Sequence, residues 1–356
     1  MSQDSDAYIK GRGAQINPPN KFDHTHLDTS GLHWHDDDEI AAAKRTSYIE
    51  THPKSILNKV DSPDIGHYLS MNPYQGCEHG CIYCYARNTH TYLGYSAGIE
   101  FESNILVKRD APALLERKIR SKRWEPQPIM FSGNTDCYQP AERTYKLTRQ
   151  MLEVLWRYRH PTGLITKNAL ILRDIDLLQQ MAAHQLVRVA ISITTLDETL
   201  RQRLEPRTAT GHKRIDLVRT LTDAGIPVSV MIAPIIPSMN DSEIHDIAAR
   251  CADAGAQSIN HTVIRLNGDV ATIFKDWLRK NYPDRYDRVI HQIQDCHGGV
   301  LSDSRFGTRM RGEGHYAQMI SQQMALVRQK YFADRSLPPY NTDLYYQMRE
   351  PQLSFF

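Results

Sequence analysis

From about residue 65 onward, short apolar runs alternate with longer amphipathic stretches, and this alternation limits the fold more than anything else in the chain. The short runs cover residues 68–71, 128–132, 163–166, 187–193, 227–233 and 258–264. Each is short and rich in β-branched or apolar residues, as parallel strands buried on both faces are. Between them, residues 111–120, 142–158, 173–184, 213–224 and 242–254 carry helical periodicity. The punctuation agrees. Ala224-Gly225-Ile226-Pro227 reads as a C-cap glycine followed by a strand start. Asn240 and Asp241 offer N-cap side chains ahead of Ile244 and Ile247. Strand and helix alternating about six times predicts an α/β fold with a parallel sheet, open or closed into a barrel. Chemistry in such sheets lies beyond the C-terminal ends of the strands.

The flanks differ from this body. Residues 1–45 are predicted to be a flexible segment, rich in Gly, Pro and a His/Asp tract from Asp23 to Glu39. A second reading has residues 10–22 wrapping the body as an extended strap. After 268 the pattern turns helical over 270–281, 286–294 and 316–331. The expected organisation is therefore a core at 46–268, a helical extension at 269–340 and a tail at 341–356. The formal net charge of +2 provides no global basic field for nucleic acid. No stretch is apolar enough to span a bilayer, and the polar, acidic start is unlike a signal peptide, so the expected location is the cytoplasm.

One cluster of residues carries the chemistry. Cys77, Cys81 and Cys84 form C-E-H-G-C-I-Y-C just after the first predicted strand. Gly76 and Gly80 let that loop bend around a bulky guest. Three soft thiolates suit an iron–sulfur cluster or zinc. On a four-iron cube they leave one iron open. Zinc would take the three thiolates with His79 or His90. No second pair of cysteines follows to support a structural zinc site. Cys137, Cys251 and Cys296 are scattered, which is no secreted disulfide framework.

The run Asn72-Pro73-Tyr74-Gln75-Gly76-Cys77 through Tyr83-Cys84-Tyr85-Ala86-Arg87 resembles the radical SAM superfamily. So do T-D-C-Y-Q-P-A-E at 135–142, T-T-L-D at 194–197, E-P-R at 205–207 and A-P-I-I-P-S-M-N-D at 233–241. Ser55 to Val60, the stretch 303–309 and Gly312-Glu313-Gly314 match as well, and the likeness runs over about residues 10–330. Within the superfamily the chain resembles an uncharacterised subgroup related to spore photoproduct lyase. The resemblance implies a partial (β/α)6 TIM-like barrel with a helical C-terminal extension. It implies a [4Fe–4S] cluster on Cys77, Cys81 and Cys84, with S-adenosyl-L-methionine chelating the fourth iron. Reductive cleavage of the sulfonium gives a 5′-deoxyadenosyl radical that abstracts a substrate hydrogen.

The resemblance also implies contacts for S-adenosyl-L-methionine from Tyr83, from Ser132, Gly133, Asn134 and Thr135 after the second strand, and from Ser192 and Thr194 after the fourth. Lys167 and Arg207 are the cationic candidates for a carboxylate or phosphate. Cys137 is the candidate hydrogen donor, although the lyase's own donor would fall at Gly133. The substrate implied is a DNA lesion. A residue of a protein or RNA is the alternative substrate, and a zinc-stabilised clamp-associated binding protein is the alternative from another class. A flavodoxin- or ferredoxin-like electron donor is implied too.

Two basic groups fit a nucleic-acid surface: Lys118, Arg120, Lys122 and Arg123 with Trp124 for stacking, and Arg305, Arg309 and Arg311. The chain ends Gln352-Leu353-Ser354-Phe355-Phe356, similar to the pentapeptide by which bacterial replication and repair proteins dock on the sliding clamp.

Overall fold

The computed structural model describes residues 9–22, 45–66 and 69–349. Its main sheet holds the six predicted strands in sequence order. These are β3 (Leu69–Met71), β6 (Ile129–Phe131), β7 (Thr162–Thr166), β8 (Val187–Ser192), β9 (Val228–Ile235) and β10 (Ser258–Val263). Every neighbouring pair is parallel, with Thr162 opposite Val187 and Val189 opposite Val228. A short antiparallel strand, β2 (Leu57–Lys59), borders β3, and β10 forms the other end. The result is a partial barrel of six parallel strands, each joined to the next by a helical crossover. A smaller sheet of β1 (Ser47–Thr51), β5 (Asn104–Lys108) and β4 (Tyr74–Gln75) lies beside it.

Burial explains the continuous apolar runs. Leu164, Val189, Ile191, Val230 and Ile232 are sealed from solvent. Such side chains contribute roughly 1.5–3 kcal/mol each on burial, before the entropy of ordering them is subtracted. The predicted helices follow as Ala111–Ile119, Ile175–Ala183, Gly211–Asp223 and Ile244–Asp253. The stretch expected as one helix over 142–158 is two, Glu142–Tyr145 and Leu147–Arg157, broken at Lys146 with φ +52°. The buried Glu142 carboxylate causes the break. It accepts from the Thr148 and Arg149 amides and so caps the second helix.

The C-terminal extension packs through Phe274 and Trp277 of helix Asp269–Asn281, whose indole donates to the Arg203 carbonyl at 2.9 Å. Helix Gly314–Phe332 lies against helix Ile244–Asp253 and β10. Beyond it the chain crosses the N-terminal ends of the strands. Arg335 donates to the Ala252 and Ala256 carbonyls, the Tyr340 ring lies 4.1 Å from the Arg188 guanidinium, and the Asn341 amide donates to the Gln185 carbonyl. Buried Tyr345, in helix Asp343–Arg349, donates to the Ile119 carbonyl. No helix among the described residues is long and apolar enough to cross a membrane.

Residues 9–22 follow the strap reading and not the flexible one. Arg12 and Ala14 are buried against the loop after β3. The His/Asp tract and the Gln352–Phe356 pentapeptide lie outside the described residues.

Candidate active site

The loop from Asn72 to Arg87 leaves the C-terminal end of β3 and is held from every side. The Cys77 amide donates to the Phe101 carbonyl, the Ile82 amide to Leu204, and the Arg207 amide to His79. Gln139 bonds it twice: its carbonyl accepts from the Glu78 amide and its amide donates to the Gly76 carbonyl, each at 3.0 Å. Gly76 and Gly80 have φ of +81° and +69°, a region that costs other residues energy. These ties bring Cys77, Cys81 and Cys84 into one neighbourhood, all three as free thiols.

Burial pushes the Cys77 thiol well up, and Asp136, Cys81 and Cys84 push it further. Burial likewise raises Cys81, with Glu205 adding to it. Thiols shifted in this way keep their protons until nearby cations stabilise the thiolates.

Among the described residues no three Cys, His, Asp or Glu side chains converge closely enough to hold one metal ion. Of the imidazoles that zinc would need, both ring nitrogens of His79 face other groups, and one of the two in His90 does. His79 lies 3.4 Å from Asp136 and accepts from Asn168. His90 faces the Asn104 carbonyl at 3.0 Å. A cubane spreads its ligands over three irons, and three neighbouring thiols, with no fourth cysteine beside them among the described residues, fit that donor set.

The other strand ends close on this loop. After β7, Asp136 accepts from the Thr166 hydroxyl and the Lys167 amide. Burial alone would raise this carboxyl; His79 and the Lys167 and Tyr138 amides hold it below the usual range. After β8, Glu205 is fully buried. It accepts from Arg214 at 2.5 Å, from Thr194 at 2.6 Å and from the Tyr83 hydroxyl. Burial opposes its ionisation, yet Arg214, Lys167 and the two hydroxyls hold its pKa at about 2. The half-buried Tyr83 ring is thereby fixed, with the Lys167 ammonium 5.9 Å from its centre.

The predicted contact residues are spread around this centre. Ser132, at φ +66°, accepts from the Cys137 amide. The Gly133 carbonyl accepts from Tyr85 at 2.5 Å, Asn134 donates to Thr89, and Thr135 donates to the Tyr74 carbonyl. Gly133 to Thr135 thus border the cysteine loop or its flanks, whereas Ser132 bonds within its own turn. The buried hydroxyl of Thr194 is bonded to Glu205, and Ser192 is buried with its carbonyl on Arg214. Cys137 lies in the hydrophobic core, its thiol pushed well up by burial.

Four charged or aromatic candidates have other employment. Arg207 donates to the Gly11 carbonyl and faces Glu78 at 3.7 Å. Trp124 is buried and donates to His160 at 3.1 Å, so it offers no stacking face. Arg305 is paired with Asp303 and Glu313, and Arg309 with Asp64. Sequence reasoning missed Glu102, Arg214 and Gln139. Only Gln139 left a trace, inside the 135–142 run.

Comparison with known proteins agrees with this geometry. The family model of the radical SAM superfamily matches residues 71–251. An uncharacterised protein of Mycobacterium tuberculosis is 33% identical over 238 residues, covering 66% of this chain and 70% of that one. An uncharacterised protein of Methanocaldococcus jannaschii is 30% identical over 242 residues, covering 68% and 86%. Among solved structures, spore photoproduct lyase complexed with a dinucleoside spore photoproduct superposes with a TM-score of 0.59 at 16% identity, covering 82% of this chain and 81% of that one. A mutant of that lyase gives 0.60 at 14% identity, covering 87% and 86%. These two likenesses establish the fold.

Proposed function

Since the chain belongs to the radical SAM superfamily, and is thus a radical SAM enzyme, we propose that Cys77, Cys81 and Cys84 hold its [4Fe–4S] cluster and that its substrate is a lesion in DNA. When bound, the cluster and S-adenosyl-L-methionine supply a 5′-deoxyadenosyl radical for hydrogen abstraction. The observation that carries the assignment is the convergence of four strand-end loops on the three cysteines, Cys77 and Cys81 buried and Cys84 half-buried, with Tyr83 locked beside them by Glu205.

The chain's own residues bind, orient and shield. Tyr83 offers a planar face of fixed orientation, because its hydroxyl is tied to Glu205 and cannot swing into solvent. Ser132, Gly133, Asn134 and Thr135 line the cofactor's amino-acid end. Ser192 and Thr194 line its ribose side, where Thr194 acts through its bond to Glu205. Cys137 is the hydrogen-donor candidate. Residues 46–268 carry the chemistry, 269–340 form the packing extension and 341–356 the tail.

The DNA substrate is supported by the fold shared with spore photoproduct lyase, one structure of which holds a dinucleoside photoproduct. A flavodoxin- or ferredoxin-like protein supplies electrons. Gln352, Leu353, Phe355 and Phe356 dock on a sliding clamp. The last described helix is anchored by Tyr345 on the face opposite the cysteine loop, which leaves that loop free while the tail is engaged.

Anaerobic reconstitution with iron and sulfide, followed by reduction, tests the assignment. Visible charge-transfer absorbance, a cluster EPR signal and 5′-deoxyadenosine that increases with ultraviolet-damaged DNA are expected. Turnover indifferent to DNA would move the substrate to a residue of protein or RNA. Removal of residues 352–356 should abolish clamp binding and leave turnover intact.

A further inference from the structure

We infer that the N-terminal strap is a working part of the cluster site: through the buried carboxylate of Glu102 it holds the cysteine loop in the shape that retains the cluster. The inference rests on the assignment of the cluster to Cys77, Cys81 and Cys84.

Glu102 is fully buried in the short helix Ile99–Ser103. A carboxylate so placed is tolerable only if its oxygens are fully bonded. Its partners come from two distant segments. The strap gives the Gly13 amide at 2.9 Å and the Ala14 amide at 2.8 Å. The cysteine loop gives Arg87 at 2.5 Å. Arg87 is buried too, and it fixes a ligand residue directly by donating to the Cys81 carbonyl at 2.9 Å. Its remaining donors go to the Ala97 and Gly98 carbonyls. One carboxylate therefore joins the strap to the backbone of Cys81 through a single planar guanidinium, whose rigid fork transmits position well.

The strap makes further ties. Arg12 is buried and donates to the Glu102 carbonyl at 2.6 Å and to Thr46 at 3.2 Å. Arg207, from the loop after β8, grips the Gly11 carbonyl at 2.9 Å while its own amide donates to His79. The packing leaves no slack. A Cβ on Gly13 would lie 1.8 Å from the Gly80 carbonyl oxygen, in the turn between Cys77 and Cys81. The strap backbone is thus seated directly on the cysteine turn, and only glycine allows that approach.

These contacts span about ninety residues of sequence, so the loop does not acquire them locally. An unstrapped loop would leave Glu102 half-bonded in the interior and free the turn to open. By linkage, if the strap favours the loaded loop over the empty one, loading must tighten the strap by the same factor.

The test uses full-length Gly13→Ala and Glu102→Gln, with Glu153→Gln on the exposed face of helix Leu147–Arg157 as control. All are reconstituted anaerobically beside the wild type. Iron per chain, the rate of cluster bleaching in air and amide exchange at Gly13 and Ala14 are followed. Both strap variants should bleach roughly tenfold faster than wild type, as expected for losing bonds to a charged group. The control should match wild type. In wild type, the Gly13 and Ala14 amides should exchange more slowly when loaded than when empty. Bleaching at the wild-type rate in folded Gly13→Ala, with strap exchange unchanged by loading, would overturn the inference and leave the cluster assignment standing. Failure of wild type to take up iron would overturn both. Should Glu102→Gln not fold, Gly13→Ala and the wild-type exchange measurement still decide.

Discussion

At the C-terminal ends of the six strands the loops are joined by buried charge, whereas the N-terminal ends are sealed by aromatic rings. Around the cysteines, Glu205 with Arg214 and Glu102 with Arg87 are withdrawn from water, and the Asp136 carboxylate lies against His79. At the other end Trp124 packs against His160, His160 meets Tyr345 edge-on, and Tyr340 covers Arg188. There burial holds His160 neutral, its pKa lowered to about 4. Paired buried ions add little net stability but fix direction strongly, because removing one partner strands the other. Aromatic packing stabilises without such directionality. The chain places directional contacts where atoms must be aimed and non-directional ones where the barrel need only be closed.

The largest expected effect is at the cysteines. Cys81→Ala should abolish iron retention and 5′-deoxyadenosine formation while far-ultraviolet circular dichroism stays as in wild type. Retained turnover would break the contrast at its centre.

Next comes Glu205→Gln, which strands Arg214 and should destabilise the fold by about 3 kcal/mol in urea unfolding. The pH dependence follows from linkage. The folded pKa of about 2 lies below the ordinary 4.5, so the stabilisation is complete above pH 4.5 and is lost as pH falls toward 2. The gap between wild type and Glu205→Gln should therefore be wide at pH 6 and narrow by pH 3.

A smaller effect belongs to the sealed end. Tyr345→Phe removes one hydrogen bond and should cost about 1 kcal/mol, with product formation per folded molecule unchanged. A change in turnover would show that the two ends are coupled. Least of all, Lys122→Ala with Arg123→Ala, near the sealed end, should change DNA affinity less than about twofold. A large loss would place DNA on the wrong face.

Much of the fold was legible because its signals are local. All six parallel strands could be read from short apolar runs, and the end of helix Gly211–Asp223 from Gly225. The cysteine loop was legible from the spacing of Cys77, Cys81 and Cys84. Where reading failed, the missing information was a partner. Trp124 beside four basic residues looks like a stacking platform until His160 claims its indole. Arg207 looks like an anion ligand until Gly11 and Glu78 take it. Helix 142–158 reads as continuous until Glu142 turns inward to cap its second half.

By itself, the sequence determined the donor set, the alternation of strand and helix and the end of the sheet where the thiols lie. Each of these depends on neighbours a few residues apart. Only the tertiary structure decided which charges are buried together and that Gly13 is seated on Gly80. Gly13 is about seventy positions from Gly80 and about ninety from Glu102, and nothing in a local window distinguishes a buried ion from a solvated one.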